Sequence, residues 1–372
     1  MAVHDPGAAI DATIRRVDVA AYTIPTDAPE SDGTIIWEST TIVVVHVSGG
    51  DTTGIGYSYA DRTAAALIHD TLGPIAIGRR VSDIEGTRVA LVQACRNLGA
   101  PGIAAGAVSA IDVALWDLKA RLLGVALTTL LGAVREAVPL YGSGGFTSYS
   151  LDRLESQLGG WAANGFPAVK MKIGRDATAD RQRVRAARAA IGRGTELFVD
   201  ANGAYARKQA LAQAEIFMEQ GVTWFEEPVS SEDREGLRML RDRMPPPIEI
   251  AAGEYGYGVI DFRRLLEAGA VDVLQADATR CGGISGFLAA GALCDAWGLP
   301  LSAHTAPSVH AHVCCAVPRV RHLEYFHDHV RIESMLFDGV LPPMRGALQP
   351  DRSRPGLGID LKPREASRFA AA

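Results

Sequence analysis

The hydrophobic pattern changes its rhythm once along the chain. Up to about Arg135, apolar stretches read as strands followed by helices. Thr13–Pro25 and Ser39–Gly50 are rich in β-branched residues and alternate like strands. Between them Thr26–Glu38, "TDAPESDGTIIWE", is polar and full of turn formers, and it is expected to be a mobile loop. Gly106–Gly124 carries apolar residues at helical spacing, with Gly124 placed to stop the helix. Strands followed by helices, without alternation, predict an α+β domain.

After Val138 short apolar strands alternate with amphipathic helical stretches. The strands are "VPLYGSG", "AVKMKIG", "LFVDANG", "WFEEP", "IEIAAGE", "VLQADAT", "PLSAHT" and "HLEYF". Strand–helix repetition implies a parallel sheet, and eight units close naturally into a (β/α)8-type barrel. The alternative is an open doubly wound sheet, but no GxGxxG or Walker sequence follows the first strand. The barrel is favoured because ionisable residues gather at the C-terminal ends of the strands, which a barrel brings to one face. The expected boundaries are a capping domain over 1–134, a barrel over 135–345, and a C-terminal segment over 346–372 that packs back on the cap.

Composition narrows the class. Hydrophobic content of 48% supplies a large core, and a net charge of −6 with no basic run argues against nucleic acid. No apolar run is long enough for a membrane span. The start lacks a basic-then-apolar signal, and the cysteines (Cys95, Cys281, Cys294, Cys314, Cys315) form no metal-spaced or redox CxxC motif. A reducing, cytoplasmic setting is the expectation.

Asp200, Glu226 and Glu254 end three successive predicted strands. Three converging carboxylates repel unless a cation neutralises them, and an all-oxygen set suits a hard divalent ion, Mg2+ above all. Asn202 and Glu227 adjoin these positions as supporting partners. On one flank lie Lys170 and Lys172, two residues apart in "VKMK" and hence on one strand face. A lysine beside another cation and a metal should have a lowered pKa and be able to accept a proton. On the other flank Asp277 and His304 end consecutive strands, so Asp277 can fix the imidazole's tautomer. Glu324 on the last strand, if protonated, can donate a hydrogen bond to a developing oxyanion; the alternative is a structural salt bridge. A metal with a base on each side suits a carboxylate anion whose α-proton is removed to give an enediolate.

These residues resemble a known family. "VKMK", "VDAN", "WFEEP", "AAGE", "LQADATRCGG", "SAHT" and "HLEYF" are similar to the enolase superfamily, most of all its mandelate racemase subgroup. The resemblance implies a barrel modified to (β/α)7β beneath an α+β cap. It also implies Mg2+-assisted α-proton abstraction with Lys172 and His304 as the acid/base groups, and a homo-oligomer. Racemases, epimerases and acid-sugar dehydratases all use this set. Polar Asp27, Glu30, Ser31 and Asp32 in the expected cap loop favour a polyhydroxylated acid, and therefore a dehydratase, with a racemase or epimerase as the alternative and a non-catalytic metal-binding member as a third. Asp27, Ser31, Tyr255, Arg280 and His327 are candidate substrate contacts. The stretch His327–His329 after the last strand reads as loop, and His310 and His312 as structural.

Overall fold

The computed structural model describes residues 11–371. Three antiparallel strands open the chain: β1 (Ile14–Ser31), β2 (Ile36–Gly49) and β3 (Thr52–Tyr59), in that order across the sheet. Helix α1 (Ile103–Leu122) lies on them, and Val43, Val45 and Val47 of β2 share a core with Ile111, Leu115 and Leu118 of the helix. Alternation along β2 turns these valines to the helix while intervening residues face away.

The second part is a closed barrel. Its parallel strands are β4 (Val138–Gly144), β5 (Ala168–Lys172), β6 (Glu196–Asp200), β7 (Val222–Glu226), β8 (Glu249–Ala252), β9 (Val273–Ala276), β10 (Leu301–Ala303) and β11 (Val320–Phe326), and β11 pairs with β4 to close the ring. All eight strands expected from the sequence form, and each is followed by a helix. Val169 and Met171 of β5 pack outward in the main core, leaving Lys170 and Lys172 to the interior. Below the lysines, Tyr141, Ala168, Phe198, Trp224, Ala251 and Val273 plug the barrel as a separate cluster. Phe198 and Trp224 stack with centroids 5.1 Å apart. The barrel is thus a filled core open at one end.

Two local expectations are overturned. The expected loop Thr26–Glu38 is mostly strand: β1 runs on to Ser31, β2 starts at Ile36, and only Asp32–Ile35 turn. One Asp32 carboxylate oxygen accepts from the Thr34 and Ile35 amides at 2.6 and 2.8 Å. Ser31 is held by a distant partner, its hydroxyl 2.6 Å from that of Thr147. At the turn Gly33 presses on the barrel rim, where a Cβ would lie 2.5 Å from the Ala201 carbonyl. The second correction concerns His327–His329, which opens helix α2 (His327–Leu336) instead of forming a loop.

The C-terminal segment touches both parts of the molecule. Ala347–Leu348 pairs with β4, while the Leu357 amide donates to Asp117 of α1 at 2.6 Å. The same segment holds His312, a buried imidazole whose Nδ1 accepts from the Thr128 amide at 3.3 Å and whose Nε2 faces the Leu357 carbonyl at 3.1 Å. Only the neutral ring satisfies both, and burial pushes its pKa down to about 4. Against about 6.5 in the unfolded chain, this contribution is intact above pH 6.5 and is lost as pH falls toward 4. Urea unfolding at about pH 7 and about pH 4.5 should therefore show a His312-dependent loss of about 2–3 kcal/mol, absent in His312→Gln.

Candidate active site

Asp200 and Glu226 are the last residues of β6 and β7, and Glu254 follows β8 by two. Gly253 makes that last placement possible: its φ of +134° and its 2.2 Å approach, as an added Cβ, to the Gln275 carbonyl admit only glycine. One oxygen of each carboxylate lies within 4.8 Å of the others, and all three residues are buried. Lys170 Nζ is 2.5 Å from Glu226, 2.9 Å from Glu324 and 3.5 Å from Asp200. Lys172 Nζ is 2.5 Å from Asp200. Trp224 beneath them donates its indole N–H to the second Glu226 oxygen at 3.0 Å.

Burial works against both ammonium groups, but Glu226 and Glu324 at Lys170, and Asp200 at Lys172, outweigh it and raise both pKa values. The expected lowering at Lys172 presupposes a metal at the carboxylates; among the chain's own charges Asp200 is the nearest, and the shift is upward. Burial, with Asp200 close by, pushes Glu226 up to about 8, and Glu227 rises well above the usual range through burial and Glu254. The chain's own cations therefore do not neutralise the cluster. An all-oxygen set with surplus negative charge fits a hard divalent ion held by Asp200, Glu226 and Glu254.

Across the barrel mouth His304 Nδ1 is 2.8 Å from Asp277, and Nε2 is 3.1 Å from Glu254. The other Asp277 oxygen accepts from the Thr279 amide at 2.7 Å and hydroxyl at 2.8 Å, which fixes the carboxylate. Burial opposes the imidazolium, yet Glu254 outweighs it and lifts His304 to about 9. For Glu324 the geometry favours the salt-bridge alternative: Lys170 lies 2.9 Å away and outweighs burial, lowering the carboxyl to about 2. Asn202, Glu227, Thr305 and Ala306 all have positive φ (46°, 37°, 52° and 40°). Each lies one or two residues beyond Asp200, Glu226 or His304, so backbone strain is concentrated at the strand ends that carry the charges.

A cavity of about 410 Å3 opens above these groups. Its floor includes Lys172, Asn202, Glu254, His304 and Glu324, and its side includes Tyr255, Arg280 and His329. The cap supplies Asp32, Ile35, Trp37, Ser39, Thr40 and Thr41 from the hairpin, with Tyr59 and Asp61 beyond. Of the proposed substrate contacts, Tyr255 and Arg280 line the cavity. Asp27, Ser31 and His327 do not: Asp27 pairs with Arg153 and His327, and Ser31 with Thr147. Glu30 is likewise buried away from it, against Trp37. Sequence reasoning missed Ser39–Thr41, Tyr59 and Asp61, whose only local signal was polar residues at strand ends. His310, taken as structural, braces the loop after Asp277 by accepting from the Ala278 amide at 2.9 Å.

Among the described residues no helix is long and apolar enough to cross a membrane. Residues 13–132 match the mandelate racemase/muconate lactonizing enzyme N-terminal domain, and residues 153–366 match the enolase C-terminal domain-like family. A mandelate racemase/muconate lactonizing enzyme-like protein from Rubrobacter xylanophilus is 54% identical, with 96% of this chain and 100% of that one covered and a TM-score of 0.95. A Streptomyces coelicolor racemase solved with bound magnesium is 28% identical over 96% of this chain and 100% of that one, with a TM-score of 0.91. The L-talarate/galactarate dehydratase of Salmonella typhimurium is 33% identical over 325 residues, 84% of this chain and 81% of its own length. By both domain matches and by its closed barrel, the chain belongs to the mandelate racemase/muconate lactonizing enzyme family of the enolase superfamily.

Proposed function

We propose that the protein dehydrates an acid sugar to a 2-keto-3-deoxy acid in a Mg2+-dependent reaction. The observation that supports metal-assisted α-proton abstraction is the order of charged groups round the barrel: Lys170 and Lys172 on β5, three carboxylates on β6 to β8, then Asp277 and His304; the polar cavity wall favours dehydration. Mg2+ held by Asp200, Glu226 and Glu254 would supply positive charge to the substrate carboxylate. With the Asp200 charge taken up by the ion, Lys172 would no longer be held as an ammonium and, as the free amine, takes the α-proton at Nζ. Lys170 stays an ammonium, held by Glu226 and Glu324, and faces the charge that develops on the carboxylate oxygens. His304, steadied through Nδ1 by Asp277, gives the Nε2 proton to the departing β-hydroxyl, which leaves as water. The resulting enol tautomerises to the 2-keto-3-deoxy acid.

The cavity wall supports a polyhydroxylated substrate. Asp32, Ser39, Thr40, Thr41, Asp61 and Arg280 offer donors and acceptors at some distance from the reacting groups. The similarity to a talarate/galactarate dehydratase points the same way. The second reading is racemisation or epimerisation, favoured by the presence of an acid/base group on each flank and by the similarity to a racemase. Proton NMR in D2O with Mg2+ and a panel of sugar mono- and diacids and 2-hydroxy acids separates the two. Loss of an α-proton signal with a 2-keto-3-deoxy product is the expected result; an epimer without keto product overturns it. Stripping divalent ions with a chelator should abolish turnover and Mg2+ should restore it; turnover that survives stripping would sink the metal assignment.

We also infer a cytoplasmic homo-oligomer. Five free, buried cysteines support a reducing setting. An apolar groove of about 410 Å3 between the cap and a barrel helix, with exposed Val92, Val259 and Ile260, supports burial against a second copy. Size-exclusion chromatography with light scattering should give a multiple of the chain mass, and a monomer would refute it.

A further inference from the structure

The cap meets the barrel at a second group of ligating side chains, outside the cavity. Asp27 and Glu30 near the end of β1, and His327 at the start of α2, each present one ligand atom, all within 4.8 Å of one another. Among the described residues only this trio and the Asp200 triad meet that condition.

Glu30 points to a ligand. Its side chain is fully buried, one oxygen accepts from the Trp37 indole N–H at 2.9 Å, and the other has no partner. Neither neighbouring arginine is paired with Glu30, although Arg331 Nε is itself buried without a partner. Arg153 donates to Asp27 and to the Tyr149 hydroxyl, each at 3.0 Å. Arg331 donates to Asp328 at 2.7 Å and to the Pro25 carbonyl at 2.6 Å. A buried carboxylate without an ion pair needs either a proton or a cation.

We propose that Asp27, Glu30 and His327 form a second metal site, which takes a divalent transition cation such as Mn2+ or Zn2+ and fastens the cap hairpin to the helix that follows the last barrel strand. The donor set selects the class: one imidazole with two carboxylates suits borderline cations, whereas the Asp200 triad offers oxygen alone. Asp27 Oδ2 and His327 Nε2 already stand 3.1 Å apart, like neighbouring ligands of one ion. Metal–ligand bonds of about 2.0–2.2 Å place tetrahedral ligands about 3.3–3.6 Å apart, so the widest pair of the trio would close by up to about 1.5 Å on binding, a movement the partly exposed Asp27 can supply. The site is separate from the reaction proposed above and does not depend on it.

The test is a Mn2+ titration of the full chain after chelator stripping, with bound Mn2+ counted by electron paramagnetic resonance and nitrogen ligation read from spin-echo modulation. The wild type should bind two Mn2+ per chain and show nitrogen modulation. Asp200→Asn should bind one and keep the modulation, while Glu30→Gln and His327→Gln should each bind one and lose it. His327 is only partly buried, so its variant keeps the test readable if Glu30→Gln does not fold. A single Mn2+ in the wild type, or a second Mn2+ and modulation that survive both substitutions, would overturn the proposal and leave Glu30 as a protonated acid. Failure of the catalytic metal site would appear separately, as no loss of Mn2+ in Asp200→Asn.

Discussion

Lys172→Met should lower kcat by about 10²–10⁴-fold and abolish exchange of the substrate α-proton with D2O. Methionine keeps much of the length and apolar stem of lysine but has no amine to accept a proton. The side chain lies at the cavity floor with its Nζ 2.5 Å from Asp200, so the substitution leaves all three carboxylates in place. Divalent-ion binding should therefore survive, and calorimetric titration checks this in the same sample. Loss of catalysis together with retained metal binding assigns the proton transfer to the amine. Activity within about threefold of wild type would remove Lys172 from the reaction.

His304→Asn should reduce product formation by about 10²–10⁴-fold while α-proton exchange continues, if His304 acts on the departing hydroxyl. Asparagine can still hydrogen-bond Asp277 but cannot deliver a proton. The imidazole is buried between Asp277 at 2.8 Å and Glu254 at 3.1 Å, an arrangement that keeps it protonated, as a general acid requires. The two variants together form a diagnostic pair. In a dehydratase, Lys172→Met stops exchange and His304→Asn stops only elimination. In a racemase both stop interconversion, and each retains exchange of the enantiomer that the surviving base attacks. NMR of each variant with each epimer in D2O distinguishes these patterns.

Much of this was legible in the residues. "VKMK" declares its own geometry: residues two apart share a strand face, so outward packing of Val169 and Met171 obliges both lysines to point inward. The strand-end positions of Asp200, Glu226 and His304 follow from the same periodicity, and parallel strands joined by helices bring those ends to one rim. The hairpin Thr26–Glu38 was not legible. Its composition is that of a loop, and what orders it is Thr147, Ser148 and the rim near Ala201, more than a hundred residues away in sequence. The cavity wall was hidden for the same reason, since Ser39–Thr41 become a wall only when the cap lies over the barrel.

Charge states divide along the same line. That Glu324 and Lys172 would be perturbed could be read from their places on strands. The direction could not, because it depends on a competition between burial and a partner within about 3 Å. Lys170, 2.9 Å from Glu324, lowers that carboxyl, and Asp200, 2.5 Å from Lys172, raises that amine while no cation engages the carboxylate. By itself, then, the sequence determined the eight-stranded barrel and the identity of the charged residues at its mouth, because strand alternation is a property of the local backbone. Tertiary structure alone decided which cap residues face the cavity and which carboxylates are paired, because those depend on distances between segments far apart in the chain.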